Sequence, residues 1–314
     1  MSRRADAAPP PQPEILRLDE VASTQDEAAH RAAAGRAVPF ALTARQQTRG
    51  RGRLGRSFAS PSGAGLALTY VHRSRLAPDR RGWFSLAAGV AAVTAVEQVL
   101  GGPSGEELGI GLKWPNDLHS TDGRKIGGIL VEARGADLVL LGIGLNLRGP
   151  ISLPDGGPVP GAAWLSGDGG LRSGRDGISG ATGQGARSPD LERLREDLES
   201  ALTAALASEL SDLESTGGDG VSAGTHDRYT MTCLTLGRAV RVDPLGETGV
   251  GGAHPPSLHG IARMIDAQGR LVVDLEGGDR TAVDIGDVRH LRPDEPVRSI
   301  TREASDDEQE EHGT

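Results

Sequence analysis

The sequence predicts an α+β fold, a mixed sheet covered by helices and followed by a small β-barrel, and three patterns carry that expectation. Apolar residues recur at helical spacing over 79–100, through Trp83, Leu86, Ala87, Val90, Val93 and Val96. They do so again over 189–213, where Leu191, Leu194, Leu198, Leu202 and Leu206 form one stripe. Between and before these helices lie short apolar runs of strand length, and after Gly237 only short strands separated by turn signals remain.

Taken in order, residues 15–18 read as a strand leading into an Ala-rich helix that ends at Gly35. Ser23 with Asp26, or Thr24 with Glu27, has the spacing of an N-cap, and the same hydroxyls also suit a polar ligand at a helix start. Residues 39–44 form a strand that delivers Gln47. Residues 65–72 form the next, with Leu66, Leu68 and Tyr70 on one face. The helix over 79–100 covers the sheet. A strand from Gly111 stops at Pro115, and after a turn through 121–124 a hairpin pairs 125–132 with 137–147, so Lys125 sits at the hairpin's mouth beside Gly127 and Gly128. In the terminal barrel, strands are expected over 238–242, 259–265, 271–275 and 281–283, with turns at 267–269 and 276–278.

Composition bounds the rest. A chain of 314 residues accommodates one large domain over 14–235 and a small one over 236–294. Gly at 46 and Pro at 19, against three Trp, two Tyr and three Phe, point to spacer beside the core. The Ala/Pro/Arg-rich residues 1–13 and the acidic residues 295–314 read as disordered tails, and 167–187 as a flexible Gly-rich insertion. No apolar run approaches the roughly eighteen residues of a membrane span, and no signal-peptide core is present, so a cytoplasmic protein that engages no membrane is expected. The single Cys233 excludes an internal disulfide and reads as a small buried residue, and the eight His show no metal-ligand spacing.

The chemistry concentrates in residues 47–65, where Arg49, Arg51, Arg53 and Arg56 alternate with Gly50, Gly52 and Gly55 in a chain of net charge -9. Such a loop sets a dense positive charge on a backbone able to close around a small anion. A solvated basic loop or a nucleic-acid tract is the other reading; against it, the cluster spans only ten positions and is interleaved with glycine rather than aromatic residues. The formal Gly-x-Gly-x-x-Gly match runs into a turn-rich segment instead of a helix, and no Gly-Lys-Ser/Thr ending follows, so neither the dinucleotide fingerprint nor a P-loop applies.

Ser23-Thr24-Gln25, the stretch from Gln47 to Arg56, Ser60 to Leu66, Lys113-Trp-Pro-Asn-Asp, Lys125 to Glu132 and Gly142-Ile-Gly-Leu-Asn together resemble the biotin protein ligases, strongly over residues 15–150. The resemblance implies a catalytic domain of the class II synthetase and biotin ligase type with a C-terminal SH3-like barrel. It also implies a two-step reaction: ATP and biotin form biotinyl-5′-AMP, and a lysine of the biotin carboxyl carrier domain of acetyl-CoA or propionyl-CoA carboxylase takes the biotinyl group. By the family pattern Lys125, Arg53 and Arg51 are catalytic, and Ser23, Thr24, Gln25, Gln47 and Gly52 line the biotin pocket with them. Arg53, Arg56, Asn116, Asp117 and Asn146 lie by the nucleotide. No protein-ligated metal is implied; magnesium accompanies the pyrophosphate, held mostly by phosphate oxygens and water.

Phe58 stands where many members carry tryptophan, and the Gly-rich insertion has no recognised counterpart. Residues 1–13 leave no room for a helix-turn-helix, which implies a form without the DNA-binding domain. A lipoate or octanoate transferase and a non-catalytic biotin sensor are the competing readings. The first lacks the Gly-Arg-Gly-Arg and Lys-Trp-Pro-Asn-Asp pair, and the second has no need of this cation density.

Overall fold

A computed structural model describes residues 12–55, 58, 63–101, 108–152, 156–172, 189–244, 257–284 and 286–291. Arg56, both expected tails except residues 12 and 13, and residues 173–187 of the expected insertion lie outside them.

Seven strands build the main sheet: β1 (Glu14–Val21), β2 (Phe40–Gln47), β3 (Gly65–Arg73), β4 (Ile110–Lys113), β5 (Asp117–Ser120), β6 (Lys125–Arg134) and β7 (Leu138–Asn146). Their order is β1-β2-β3-β7-β6-β5-β4, with β1 parallel to β2 and every other pair antiparallel. The mixed character comes from α1 (Thr24–Ala33), which carries the chain from β1 back to the start of β2.

Alternation along the strands separates two faces. On one, Phe40, Leu42, Val71 and Leu140 pack with Ala28 of α1. On the other, Leu66, Leu68, Tyr70, Leu141, Ile143 and Leu145 meet α2 (Phe84–Leu100), over which α3 (Pro189–Ser215) lies. The stripe leucines of α3 are buried as its periodicity requires, each contributing on the order of 1.5–3 kcal/mol.

Helix α2 is apolar over most of its surface because it lies between the sheet and α3, with Thr94, Glu97 and Gln98 on its one exposed strip. The segment Pro78–Leu100 is by length and composition sufficient to cross a bilayer, which corrects the expectation that no run approaches that length; its many alanines conceal the run. Of its apolar window 72% is buried inside the fold.

Three elements escaped the sequence reading: β5, α4 (Thr225–Thr232) and β12 (Gly286–His290), all short and without a distinct period. Strand β12 joins β8 (Ala239–Pro244), β9 (Leu258–Ile265), β10 (Leu271–Leu275) and β11 (Arg280–Val283) in an antiparallel sheet of order β11-β10-β9-β8-β12. Its buried Val240, Val242, Ile265 and Leu271 are continuous with the α2 core. Two indoles dock it: Trp83 Nε1 donates to Ala267 O at 3.1 Å and Trp114 Nε1 to Gly269 O at 3.2 Å. Both acceptors lie in the turn that the sequence marked at 267–269.

Candidate active site

On the α1 face, beside the N-terminus of that helix, Gly142 and Gly144 carry no side chain over β7, and a cleft of about 890 Å³, its open mouth included, lies over them. Side chains from elsewhere rest directly on the exposed strand. A Cβ at Gly142 would stand 2.8 Å from Gln25 Nε2, and one at Gly144 would stand 2.4 Å from the Phe58 ring.

Ser23, Thr24, Gln25, Gln47, Arg51, Gly52, Arg53, Asn116, Asp117 and Lys125 all line this cleft, although they come from five separate parts of the chain. Arg56 is outside the described residues. Asn146 does not line the cleft: its Nδ2 donates to Ala163 O at 2.9 Å and to Lys125 O at 3.4 Å, so it holds the backbone of Lys125 from behind. The segment past Gly161 helps, with Lys125 N donating to Gly161 O and Ala163 N to Lys125 O, both at 2.7 Å.

At the start of α1, Ser23 occupies the N-cap position but makes no side-chain cap bond. The acids expected to complete a capping box are engaged elsewhere, Asp26 with Arg51 and Glu27 with Arg31. The capping interpretation of these hydroxyls is therefore corrected. Ser23 Oγ is buried without a hydrogen-bond partner and borders the cleft, as does Gln25 Oε1. Thr24 Oγ1 accepts from Thr69 Oγ1 at 2.9 Å and donates to Gln47 Oε1 at 3.0 Å, while Thr24 N donates to the same Gln47 oxygen at 2.8 Å. A buried polar atom left without a partner costs about 1–3 kcal/mol. Both residues belong to the lining of the cleft.

The loop arginines are fixed by neighbours from distant elements. Arg51 Nη2 bridges Asp26 Oδ1 at 2.8 Å and Glu132 Oε2 at 3.0 Å. Arg53 Nη1 donates to Asn116 Oδ1 at 2.6 Å and Nη2 to Gly286 O at 3.4 Å, tying the loop to the second sheet. Gly50 is needed for the loop's approach to itself, since a Cβ there would stand 2.2 Å from Phe58 O.

Lys125 Nζ donates to Asp117 Oδ1 at 2.7 Å over Gly128, whose missing side chain leaves that space open. Gly127 turns to the opposite face, against Gly144 O and Leu145, so of the glycine pair only Gly128 borders the cleft. Burial alone would raise the Asp117 carboxyl. His119, with Nε2 3.9 Å from Oδ2, and the Lys125 ammonium outweigh it and hold the carboxyl down at about 2. The carboxyl is thus ionised at neutral pH.

Sequence reasoning missed the Leu130 carbonyl, which accepts Gln25 Nε2 at 2.8 Å, and it missed Gly286 and Asp287 of the second sheet. Spacing carries no trace of either, because both arrive through tertiary contact. Gly142 and Gly144 were visible as a Gly-x-Gly within an apolar strand, the signature of a close approach. Cys233 packs partly buried against the core, and burial pushes its thiol up, away from nucleophile chemistry. Among the described residues no group of three or more His, Cys, Asp or Glu is suited to hold a metal.

A bare sheet face with unpartnered polar atoms, flanked by cations on a glycine loop, defines a pocket for a small acid activated beside phosphate. Residues 22–146 match the model of the biotin/lipoate A/B protein ligase family. Over 281 residues the chain is 34% identical to the biotin–acetyl-CoA-carboxylase ligase of Mycobacterium tuberculosis, covering 88% of this chain and 89% of that protein. A ligase of the same description from Paracoccus denitrificans is 37% identical over 126 residues, 38% of this chain and 49% of its own. Among solved structures, the biotin protein ligase of Aquifex aeolicus in complex with biotin and ATP superposes with a TM-score of 0.59 at 20% identity, covering 88% of this chain and 99% of that one, a likeness of fold. The chain belongs to the biotin protein ligases of that family.

Proposed function

We propose that this chain activates biotin with ATP and transfers the biotinyl group to a lysine of the biotin carboxyl carrier domain of acetyl-CoA carboxylase or a related carboxylase. The observation that carries the reading is the convergence of the Ser23–Gln25 segment, the Arg51–Arg53 loop and the Lys125–Asp117 pair on one cleft.

In the first step a biotin carboxylate oxygen forms a bond to the α-phosphorus of ATP while the bond to the bridging oxygen breaks, and pyrophosphate leaves with the electron pair. Two anions must approach each other, so cations that are not themselves nucleophiles lower the barrier. In this reading Ser23 Oγ and Gln25 Oε1 receive the polar end of the biotin ring system, and Gln25 Nε2, Thr24 and Gln47 hold them in place. Arg51 and Arg53 face the carboxylate and the adenylate phosphate. Lys125 directs one of its three N–H bonds at Asp117 and presents the others to the carboxylate and α-phosphate oxygens. Asn116 orients Arg53, and Asn146 supports Lys125 from behind. Magnesium, when bound with the nucleotide, supplies charge neutralisation on the leaving phosphates.

In the second step the carrier lysine's amine attacks the acyl carbon of the mixed anhydride, the bond to the phosphate oxygen breaks and AMP leaves. We also read residues 14–235 as the catalytic domain and 236–294 as an SH3-like barrel that meets the nucleotide side of the cleft. The contact from Arg53 to Gly286 supports that reading. We further read the protein as cytoplasmic, with neither DNA nor a membrane among its partners.

ATP–pyrophosphate exchange by the purified chain, with biotin and in parallel with lipoate or octanoate, tests the proposal. Exchange with biotin alone is expected. Exchange with lipoate or octanoate instead would move the chain to the other branch of its family, and exchange with none, from folded protein that binds biotin, would make it a sensor.

A further inference from the structure

The arginine–glycine loop has two ends, and the cleft residues account only for its entrance, where Gln47 is tied to Thr24. At its exit residues 63–65 turn into β3 through Gly63, whose φ of +77° favours glycine. Three consecutive carbonyls need partners there. Ala64 O accepts from Leu147 N at 2.9 Å and Arg148 N at 3.0 Å, just past the end of β7. The carbonyls on either side are taken by one side chain of α3: Arg195 Nη2 donates to Gly63 O at 2.7 Å and Arg195 Nη1 to Gly65 O at 2.5 Å.

That guanidinium is 3% exposed and, among the described residues, has no bidentate carboxylate. Glu192 Oε2 stands 3.9 Å from Nε, and Nε has no hydrogen-bond partner. Glu199, one turn further along the helix, is engaged by Arg17 and Thr43. Burying a guanidinium in this way is costly, whereas an apolar residue beside Leu191, Leu194 and Leu198 would have extended the stripe. What the arginine does that an apolar residue does not is hold two main-chain oxygens on either side of the loop's exit, in the planar fork that only arginine provides.

The register joins this anchor to the cleft. Gly65 pairs with Asn146 and Ala67 with Gly144, the glycine on which Phe58 rests, and Phe58 N donates to Gly50 O at 2.9 Å. The loop is therefore tied at its entrance to Thr24, at its middle to Gly144 and at its exit to Arg195.

We propose that Arg195 is a positioning residue for the adenylate site, fixing the loop's exit so that Phe58 and Arg53 keep their places over the bound acyl-adenylate. The proposal rests on the biotin-ligase reading above. The test uses the full chain, its Arg195→Met and Arg195→Lys variants, and biotinyl-adenylate formed in place from radiolabelled biotin and ATP. Each variant is assayed below its own melting temperature and checked for native circular dichroism.

Losing both hydrogen bonds to the exit should speed release of the adenylate about tenfold and raise the KM for biotin in pyrophosphate exchange similarly, with kcat within about threefold. Lysine, a single point donor, should fall between. Adenylate release at the wild-type rate from both folded variants, whatever their melting temperatures, would reduce Arg195 to a structural role and overturn the proposal. If Arg195→Met does not fold, release from Arg195→Lys decides alone. Absence of exchange by the wild-type chain would instead overturn the ligase reading itself, so the two failures are distinct.

Discussion

Replacing Asp117 with asparagine keeps the shape of the Lys125 contact and removes its charge. The Asp117 carboxyl is held at about 2 against an ordinary 3.8, and each unit of such a difference is worth about 1.4 kcal/mol. The ionised carboxylate therefore contributes roughly 2 kcal/mol to stability at neutral pH. Its side chain is 22% exposed, so solvent screening removes little of this. Because the folded value is depressed, the contribution is fully present above the unfolded value near 4 and is lost as pH falls through the folded value near 2.

Urea denaturation of the wild-type chain and Asp117→Asn at pH 7, 5, 4 and 3 should give a gap of about 2 kcal/mol at the first three values and about 1 kcal/mol at pH 3. Any acid-sensitive group elsewhere is common to both proteins and cancels in the difference. A gap that does not change with pH would mean that shape, not charge, holds the pair, and would refute the electrostatic account of Lys125. In exchange assays at pH 7 the same variant should lose about tenfold or more in kcat/KM, since the ammonium is no longer oriented by a fixed anion.

Further outcomes follow from the same geometry. His290 is held down at about 4, by burial first and then by nearby cationic groups; Thr235 Oγ1, which accepts Trp114 N, lies 3.1 Å from His290 Nε2. The unfolded chain therefore takes up a proton that the folded one refuses as pH drops from 6.5 to 4. Stability should fall over that window by up to ~3 kcal/mol, and His290→Gln should flatten the fall in urea titrations. Ser23→Ala removes no cap bond and deletes a buried oxygen without a partner, so the free protein should gain up to about 1–3 kcal/mol rather than lose the ~1 kcal/mol of a true N-cap, while biotin affinity by calorimetry drops about tenfold. A lowered melting temperature with intact affinity would restore the capping role. Gly144→Ala drives a methyl into the Phe58 ring and should cost roughly 1–3 kcal/mol by overpacking. Adding Phe58→Ala should return part of that stability but not biotin affinity, whereas strictly additive effects would show that the two do not touch.

Much of this molecule was legible before any coordinates. The periodicities of 79–100 and 189–213, the strand pattern up to residue 147 apart from β5, and the turns at 267–269 and 276–278 are local properties, set by which side chains must leave water at each period. Likewise the arginine–glycine loop shows its chemistry in its composition, since a cation cluster on a glycine backbone in an acidic chain has few other uses.

What the sequence could not determine is where those groups meet. Whether Ser23 caps a helix or faces a ligand depends on Arg51 and Arg31, which claim the acids of the first turn. Asn146 turned out to support Lys125 rather than line the cleft, and Arg195, an unremarked member of a leucine-striped helix, reaches carbonyls across |i−j| separations of 130 and 132. Gly286 and Asp287 enter the site because a shared core and two indoles dock the second sheet. Periodicity reports the burial of one residue against the average interior, whereas hydrogen bonds and ion pairs are specific, short-ranged and indifferent to sequence distance. Only the tertiary structure decides their partners.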